Sequence, residues 1–96
     1  MKEISFDAAR ALVRKELAPG WTLGTLYVAP WGYEDDFQYQ LIAGAREGLV
    51  GDDVNYLDTS GLVYLVDKDD GTIESVFYQD NAEELDAMRP IGNPPA

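Results

Sequence analysis

The sequence predicts one α+β domain, in which an N-terminal amphipathic helix packs on a four-stranded antiparallel sheet and a short C-terminal helical turn follows. Three observations indicate this fold class. Apolar residues recur every three or four positions near the N-terminus, β-branched and aromatic residues fill four later segments, and an Asp-Gly pair joins the last two segments. A length of 96 residues is typical of one domain, which we assign to 1–96 with a Pro-rich tail at 89–96.

The first predicted element is the amphipathic helix. Ser5 can cap its first turn, and the charge of Asp7 interacts favourably with the positive end of the helix dipole. The spacing marks an apolar stripe formed by Ala9, Leu12, Val13 and Leu17. We expect the helix to end at Pro19-Gly20, because neither residue readily continues a helix.

Two strands are predicted next, at 22–29 and 36–43, because both segments are rich in β-branched and aromatic residues. Alternation in the second strand places one set of side chains on a single face, namely Phe37, Tyr39, Leu41 and Ala43. The segment 30–35 between the strands contains Pro and Gly and is predicted to form a turn.

The second half of the chain contains the clearest local signal. Segments 62–67 and 72–78 are predicted strands, and Asp70-Gly71 between them supplies the positive φ that a tight hairpin needs. Residues 44–61 are predicted to be a long loop. Residues 81–88 are predicted to form a helical turn capped by Asp80 or Asn81.

The composition excludes several classes of chemistry. The chain has no Cys and no His, which rules out disulfides, thiolate nucleophiles, Cys-ligated zinc and Ser-His-acid triads. The acidic run at 67–71 lacks calcium-loop spacing, because Gly71 stands at its fifth position and not its sixth. We therefore predict no enzyme activity, no catalytic residue, no metal ligand and no cofactor.

The cellular compartment is predicted from the lengths of the apolar runs in the sequence. No apolar run of signal-peptide length follows the N-terminus, and no stretch reaches the roughly 18 apolar residues that span a bilayer. We expect a cytoplasmic protein without membrane contact. A formal net charge of -11 repels phosphate backbones, so direct nucleic-acid binding is not expected either.

The negative charge is concentrated after the first helix. Residues 1–20 carry four basic and three acidic side chains, whereas residues 21–96 carry three basic and fifteen acidic ones. Two predicted loops combine acids with aromatic rings, which together can grip a basic protein. These candidate partner-binding residues are Trp31, Tyr33, Glu34, Asp35, Asp36, Asp52, Asp53, Tyr56 and Asp58. The alternative is that Trp31 and Tyr56 cap a small core and the acids only maintain solubility.

Three segments, 5–13, 65–73 and 85–92, resemble small bacterial immunity proteins of polymorphic toxin systems. The hairpin Leu65 to Ile73 and the closing Met88-Arg89-Pro90-Ile91-Gly92 are the distinctive parts, and the nearest group is the family called immunity protein thirty-five. The resemblance implies a non-enzymatic inhibitor that binds a cognate toxin, basic where it handles nucleic acid, and blocks its active site.

Two other functions remain open from the sequence. An acidic mimic of nucleic acid could occupy the groove of a nuclease or DNA-binding protein, and it would depend on charge more than on aromatic rings. An enzyme would require carboxylates with strongly perturbed pKa values in a common pocket.

Overall fold

The computed structural model describes residues 3–56 and 61–93. Its elements are α1 (Phe6–Leu17), a 3₁₀ turn (Ala18–Gly20), β1 (Leu26–Glu34), β2 (Gln38–Ala45), α2 (Arg46–Leu49), a second 3₁₀ turn (Val54–Tyr56), β3 (Leu62–Asp67), β4 (Ile73–Phe77), α3 (Tyr78–Asp86) and β5 (Arg89–Ile91). The strands form one antiparallel sheet in the order β4-β3-β2-β1-β5. The α+β class is confirmed, with five strands within the described residues and not the predicted four.

The helix α1 begins as the sequence predicts. Ser5 Oγ accepts a hydrogen bond of 3.0 Å from the Ala8 amide and caps the first turn. One face of α1 is buried against the sheet, in a core that consists of Ala9, Val13, Val28, Tyr39, Leu41 and Val66. Burial of each large aliphatic side chain in this core contributes roughly 1.5 to 3 kcal/mol, which is what holds α1 on the sheet.

The opposite face of the sheet is partly covered by α3. Leu85 of α3 and Met88 just beyond it form a second cluster with Leu65 of β3. Leu65 and Val66 are adjacent in a strand, so their side chains lie on opposite faces. Because Val66 belongs to the α1 core, α1 and α3 lie on opposite sides of the sheet. The prediction placed a helix on one face only.

The predicted boundaries of the first two strands are shifted. Most of the predicted turn at 30–35 belongs to β1. The strand can include Pro30 because residues 29–31 lie opposite the single residue Ile42, where the regular hydrogen-bond ladder with β2 is interrupted. Gly32 lets the strand re-enter the ladder, since a Cβ there would stand 2.4 Å from the Gln40 carbonyl oxygen. Tyr39, Leu41 and Ala43 share the face toward α1 as predicted, but Phe37 precedes β2 and is 77% exposed.

The fifth strand lies in the predicted Pro-rich tail. β5 pairs antiparallel with β1, and Pro90 stands opposite Tyr33. The Asp35 amide donates to the Gln38 carbonyl oxygen. Backbone hydrogen bonds of an antiparallel strand point alternately to one side and the other, so the backbone of Tyr33 bonds to β2 and the backbone groups of its two neighbours point toward β5. The nitrogen of Pro90 therefore faces away from β1, where a missing N–H costs no ladder bond.

The predicted hairpin is confirmed and the predicted C-terminal turn is corrected. β3 has the predicted bounds, and Gly71 has a φ of +75°. The helix α3 begins earlier than predicted, at Tyr78, and is kinked at Asn81, whose Nδ2 donates to the Phe77 carbonyl oxygen at 3.0 Å. Asp80 thus lies in the first turn of α3. Asn81 has non-helical dihedral angles (φ -134°, ψ 17°), so a separate helical segment starts directly after it, close to the predicted start, while its side-chain nitrogen bonds back to Phe77. The predicted loop at 44–61 contains α2 and the second 3₁₀ turn, and its residues 57–60 lie outside the described residues, as do 94–96 of the tail.

A buried lysine joins the two hairpins. Lys68 is 6% exposed, and its Nζ lies 2.8 Å from Glu34 Oε1 and 4.9 Å from the centre of the Tyr39 ring. Its backbone N–H donates to the Phe37 carbonyl, and its carbonyl accepts from the Ile4 amide. Burial lowers the pKa of Lys68, but the hydrogen bond and charge of Glu34 raise it more, so the pKa lies above its ordinary value.

We expect Lys68→Met to lower the free energy of unfolding by about 2 kcal/mol, because it leaves the Glu34 carboxylate, 31% exposed, without its partner. The matched control is Arg89→Met, which removes a 3.4 Å ion pair whose side chains are 61% and 80% exposed. That loss should be about 0.5 kcal/mol or less. Urea denaturation of both variants measures the difference, and equal losses would contradict a structural role for the buried pair.

Alkaline pH should destabilise the fold. Burial raises the pKa of Tyr39 above its ordinary value of 10.0, and the pKa of Lys68 is raised above 10.5. As the pH rises, the unfolded chain therefore releases these protons before the folded chain does. The stability that these two groups contribute is complete below pH 10.0 and is lost as the pH rises through their folded-state pKa values. Unfolding curves taken across that range at constant ionic strength should show a shallower decline for Tyr39→Phe than for the wild type, because the variant lacks the Tyr39 proton and the Tyr39 charge no longer raises the pKa of Lys68. Parallel declines would contradict this assignment.

Candidate functional site

The face of the sheet away from α1 collects aromatic rings from β1. Val28 belongs to the α1 core, so Tyr27 beside it points to the other face. Trp31 joins Tyr27, with ring centroids 6.1 Å apart. A Cβ on Gly32 would stand 3.1 Å from the ring of Phe6, on the α1 side, so Tyr33 also points away from α1.

Two further tyrosines complete this surface. Tyr56 of the second 3₁₀ turn and Tyr78 of α3 line one cavity of about 290 Å³, together with Ile42 of β2. We call the surface formed by Tyr27, Trp31, Tyr33, Tyr56 and Tyr78 the aromatic face. Tyr33 and Tyr78 are the most exposed of the five rings, at 38% and 39%. The other three are half-buried.

The helix α3 supplies acid beside the aromatic face. Its nine residues contain four exposed acids and no basic residue, the acids being Asp80, Glu83, Glu84 and Asp86. Tyr78 Oη donates to Asp86 Oδ1, and this hydrogen bond is the largest cause of a raised pKa for Tyr78, to which the nearby Tyr33 also contributes. Gln38 Nε2 donates to Glu84 Oε1 at 3.1 Å and fastens the helix over β2.

The opposite side of the molecule carries the contrasting charge. Within α1, three basic and two acidic residues give a net charge of +1, whereas α3 carries -4. Arg10 is partly held by the fold, since its guanidinium donates to the Val28 carbonyl oxygen at 2.9 and 3.2 Å. Arg14 and Lys15 are exposed. The sheet thus separates a weakly basic helix from a strongly acidic one.

The candidate residues of the first acidic-aromatic loop, between 31 and 36, have different positions and contacts in the structure. Trp31 and Tyr33 lie on the aromatic face, and Asp36 is exposed, with its Oδ1 3.4 Å from Arg89 Nη2. Asp35 shapes the turn, because its Oδ1 accepts from the amides of residues 37 and 38 at 2.8 and 2.9 Å. Glu34 lies on the α1 side in the buried ion pair with Lys68.

The second predicted loop lies at the other end of the β1–β2 hairpin. Tyr56 belongs to the aromatic face, Asp52 is exposed with a φ of +56°, and Asp53 Oδ1 accepts from the Asn55 amide at 3.0 Å. Asp58 lies outside the described residues. The nine residues of β1 span about 26 Å, so the acids of the two loops are far apart, although their aromatic rings share one face.

Sequence reasoning missed Tyr27, Tyr78 and the acids of α3. Tyr27 and Tyr78 stand in segments predicted as strands, where aromatic residues usually serve the core. A usable signal exists in residues 80–86, which contain four acids and no base. The helical period brings these acids onto neighbouring turns, which a loop-based search for acidic surfaces does not consider.

One polar cavity could be compared with an active site, but its chemistry points elsewhere. Glu47 and Asp53 line it with Arg46 and Thr25. Glu47 accepts from the Thr25 amide at 2.9 Å and from Thr25 Oγ1 at 3.1 Å, and these bonds lower the pKa of Glu47. A general acid at neutral pH needs a raised pKa. Glu47 instead ties α2 to the start of β1.

Comparison with protein-family models, curated proteins and solved structures finds no significant match for this chain. Within residues 3–56 and 61–93, no group of three or more acidic side chains is arranged to hold a metal ion. No helix in the same ranges has the length and apolar character needed to cross a bilayer.

The aromatic face should contain both stabilising and dispensable rings. Tyr33→Ala and Tyr78→Ala should each lower stability by about 1 kcal/mol or less, because both rings are well exposed. Trp31→Ala should cost about 2 kcal/mol, since its half-buried ring packs on Tyr27. Thermal unfolding followed by circular dichroism measures all three, with Phe37→Ala as the exposed control. A loss at Tyr33 as large as that at Trp31 would assign Tyr33 to the core.

Proposed function

We propose that this protein is a cytoplasmic immunity protein, a non-enzymatic inhibitor that binds a basic toxin domain and neutralises it. The observation that carries the proposal is the placement of exposed Tyr33 and Tyr78 beside the four acids of α3, on the side of the sheet away from the basic helix. The resemblance of the chain to small bacterial immunity proteins supports the same conclusion.

Aromatic rings and charges contribute to binding in different ways. Tyrosine side chains provide rigid, amphipathic contact area that can become fully desolvated in an interface. Acids around the rings accelerate encounter with a basic surface and discriminate against acidic partners. Both features lie on one face of this protein, so a single docking orientation can use them together.

The proposal narrows the predicted site. Trp31, Tyr33, Asp36, Asp52, Asp53 and Tyr56 remain candidates for partner contact, together with Tyr78 and the acids of α3, and Asp58 lies outside the described residues. Glu34 and Asp35 have structural partners within the fold, and they act on the partner only through the shape that they maintain.

Inhibition by this surface requires no chemistry from the inhibitor. A toxin that acts on nucleic acid concentrates positive charge where the substrate phosphates bind. An acidic face seated there covers that charge and excludes the substrate, and the tyrosine rings slow dissociation. The absence of His and Cys from the sequence fits such a role.

The first experiment purifies this chain with candidate toxin domains, chosen from proteins encoded next to it, and measures their affinity. We expect a dissociation constant below about 1 μM, which corresponds to about -8 kcal/mol of binding free energy. An absence of binding at that concentration would overturn the proposal.

Charge reversal at α3 then tests the binding face. Asp80→Lys with Glu83→Lys should slow association about tenfold at low salt, and the effect should shrink as salt screens exposed charge. The matched control, Glu16→Lys with Asp69→Lys, makes the same change in net charge on other exposed positions and should slow association about twofold or less. Stopped-flow measurements at several salt concentrations give the rates, and equal effects in both variants would remove α3 from the interface.

The aromatic rings separate an immunity protein of this kind from a pure nucleic-acid mimic. Tyr33→Ala with Tyr78→Ala should raise the dissociation rate about tenfold or more, since anchoring rings act mainly on dissociation. A mimic would lose little, because it depends on charge. An unchanged dissociation rate in a folded double variant would favour the mimic.

A further inference from the structure

The outer side of β4 carries backbone groups that point away from the sheet. The Asp67 amide donates to the Thr72 carbonyl at 3.0 Å, and the Tyr78 amide donates to the Gly61 carbonyl at 2.8 Å. Bonded pairs alternate in an antiparallel ladder, so within β4 only residues 74 and 76 bond to β3. The N–H and C=O groups of Ile73 and Ser75 therefore point outward, and so does the N–H of Phe77.

The two edges of the sheet differ in how they are protected. β5 has only three residues, and its outward-facing backbone nitrogen belongs to Pro90, which has no hydrogen to donate. β4 has five residues in continuous register with β3, and it contains neither Pro nor Lys. No described residue forms a strand on its outer side. β4 is thus an edge with one charged residue, Glu74, and it is otherwise open to strand addition.

The side chains of β4 define what a sixth strand would have to present. Ile73 and Phe77 lie on the α1 side, where Phe77 is 47% exposed, so the added strand needs apolar side chains there. Glu74 is exposed on the α3 side, where the added strand needs a basic side chain. The complementary segment therefore alternates apolar and basic residues.

We propose that β4 binds an extended, alternating apolar and basic segment of the partner as a sixth strand. The inference rests on the proposed function, because it assigns this segment to the basic toxin. The five outward groups of residues 73, 75 and 77 give affinity through the main chain, while the acids of α3 continue the negative surface next to the basic side chains.

Charge disfavours a second copy of this chain at the same edge. Antiparallel pairing of two β4 strands relates the two copies by a two-fold axis normal to the sheet. Both α3 helices would therefore lie on the same face of the combined sheet. Each helix brings a charge of -4 and each chain a charge of -11. Like charges so close together oppose association, whereas a basic segment meets attraction.

The test uses a defined probe, a seven-residue peptide that alternates lysine and valine, and compares it with the same peptide methylated on its backbone nitrogens. Nuclear magnetic resonance follows amide hydrogen exchange in the wild-type protein with each peptide. The amides of Ser75 and Phe77 should exchange about tenfold more slowly with the unmodified peptide, while those of Glu74 and Val76, already bonded to β3, should change little. The methylated peptide should protect none of the four.

A pair of variants at one position isolates the backbone contribution. Ser75→Pro removes an outward N–H without removing a bond to β3, so it should weaken peptide affinity about tenfold, which corresponds to about 1.4 kcal/mol. Ser75→Ala keeps the N–H and should stay within about twofold. Circular dichroism confirms that both variants fold. If Ser75→Pro fails to fold, the exchange experiment on the wild type decides the question.

Three results of the peptide experiments would overturn the proposal. These are no binding of the peptide at about 1 mM, equal binding of the methylated peptide, or binding that leaves the Ser75 and Phe77 amides unprotected. A dimer seen by analytical ultracentrifugation and abolished by Ser75→Pro would assign the edge to a second copy and overturn the proposed occupant. No toxin is present in these assays, so their failure leaves the toxin-affinity measurement to judge the proposed function separately.

Discussion

The contact between Lys68 and Glu34 connects the two hairpins of this protein on the α1 side of the sheet, next to the ladder between β2 and β3. Lys68 Nζ lies 2.8 Å from Glu34 Oε1 beneath the α1 layer, and its backbone binds both residue 37 and the N-terminal segment. A buried ammonium without such a partner would be strongly destabilising, so β1 is constrained to point Glu34 inward. Because side chains alternate along a strand, the same constraint directs Tyr33 to the opposite face. The ion pair, the buried Val28 and the contact of Gly32 with Phe6 therefore all leave the same side of β1 available to a partner.

The alternation of side chains along the strands separates two surfaces of opposite character. The α1 side contains the aliphatic core and a weakly basic helix, whereas the α3 side combines tyrosines with concentrated acid. Residues 21–96 carry three basic and fifteen acidic side chains, a net charge of -12, and four acids of α3 stand next to exposed rings. The proposed inhibitor function and the proposed strand addition at β4 both depend on this separation, since each requires a basic partner on the α3 side.

The parts of the fold that local sequence predicts are those with local causes. Ser5 caps α1 and Gly71 permits the hairpin turn through contacts within a few residues. β5 and the second half of β1 were missed because Pro30 and Pro90 usually end strands, and only the sheet places them where no ladder bond is needed. In the candidate site, Trp31, Tyr33 and Tyr56 were found from their acidic surroundings. The inward turn of Glu34 was not, because it depends on Lys68 more than thirty positions away in the chain.

The most direct measurement of the central claim is cross-saturation transfer by nuclear magnetic resonance, from an unlabelled candidate toxin domain that binds to this protein labelled with deuterium and ¹⁵N. Saturation of the partner reaches only the amides that it touches. The account predicts the strongest attenuation at Tyr33, at Tyr78 and along α3, with the exposed face of α1 unaffected. Attenuation centred on Arg14 and Lys15 instead would contradict it.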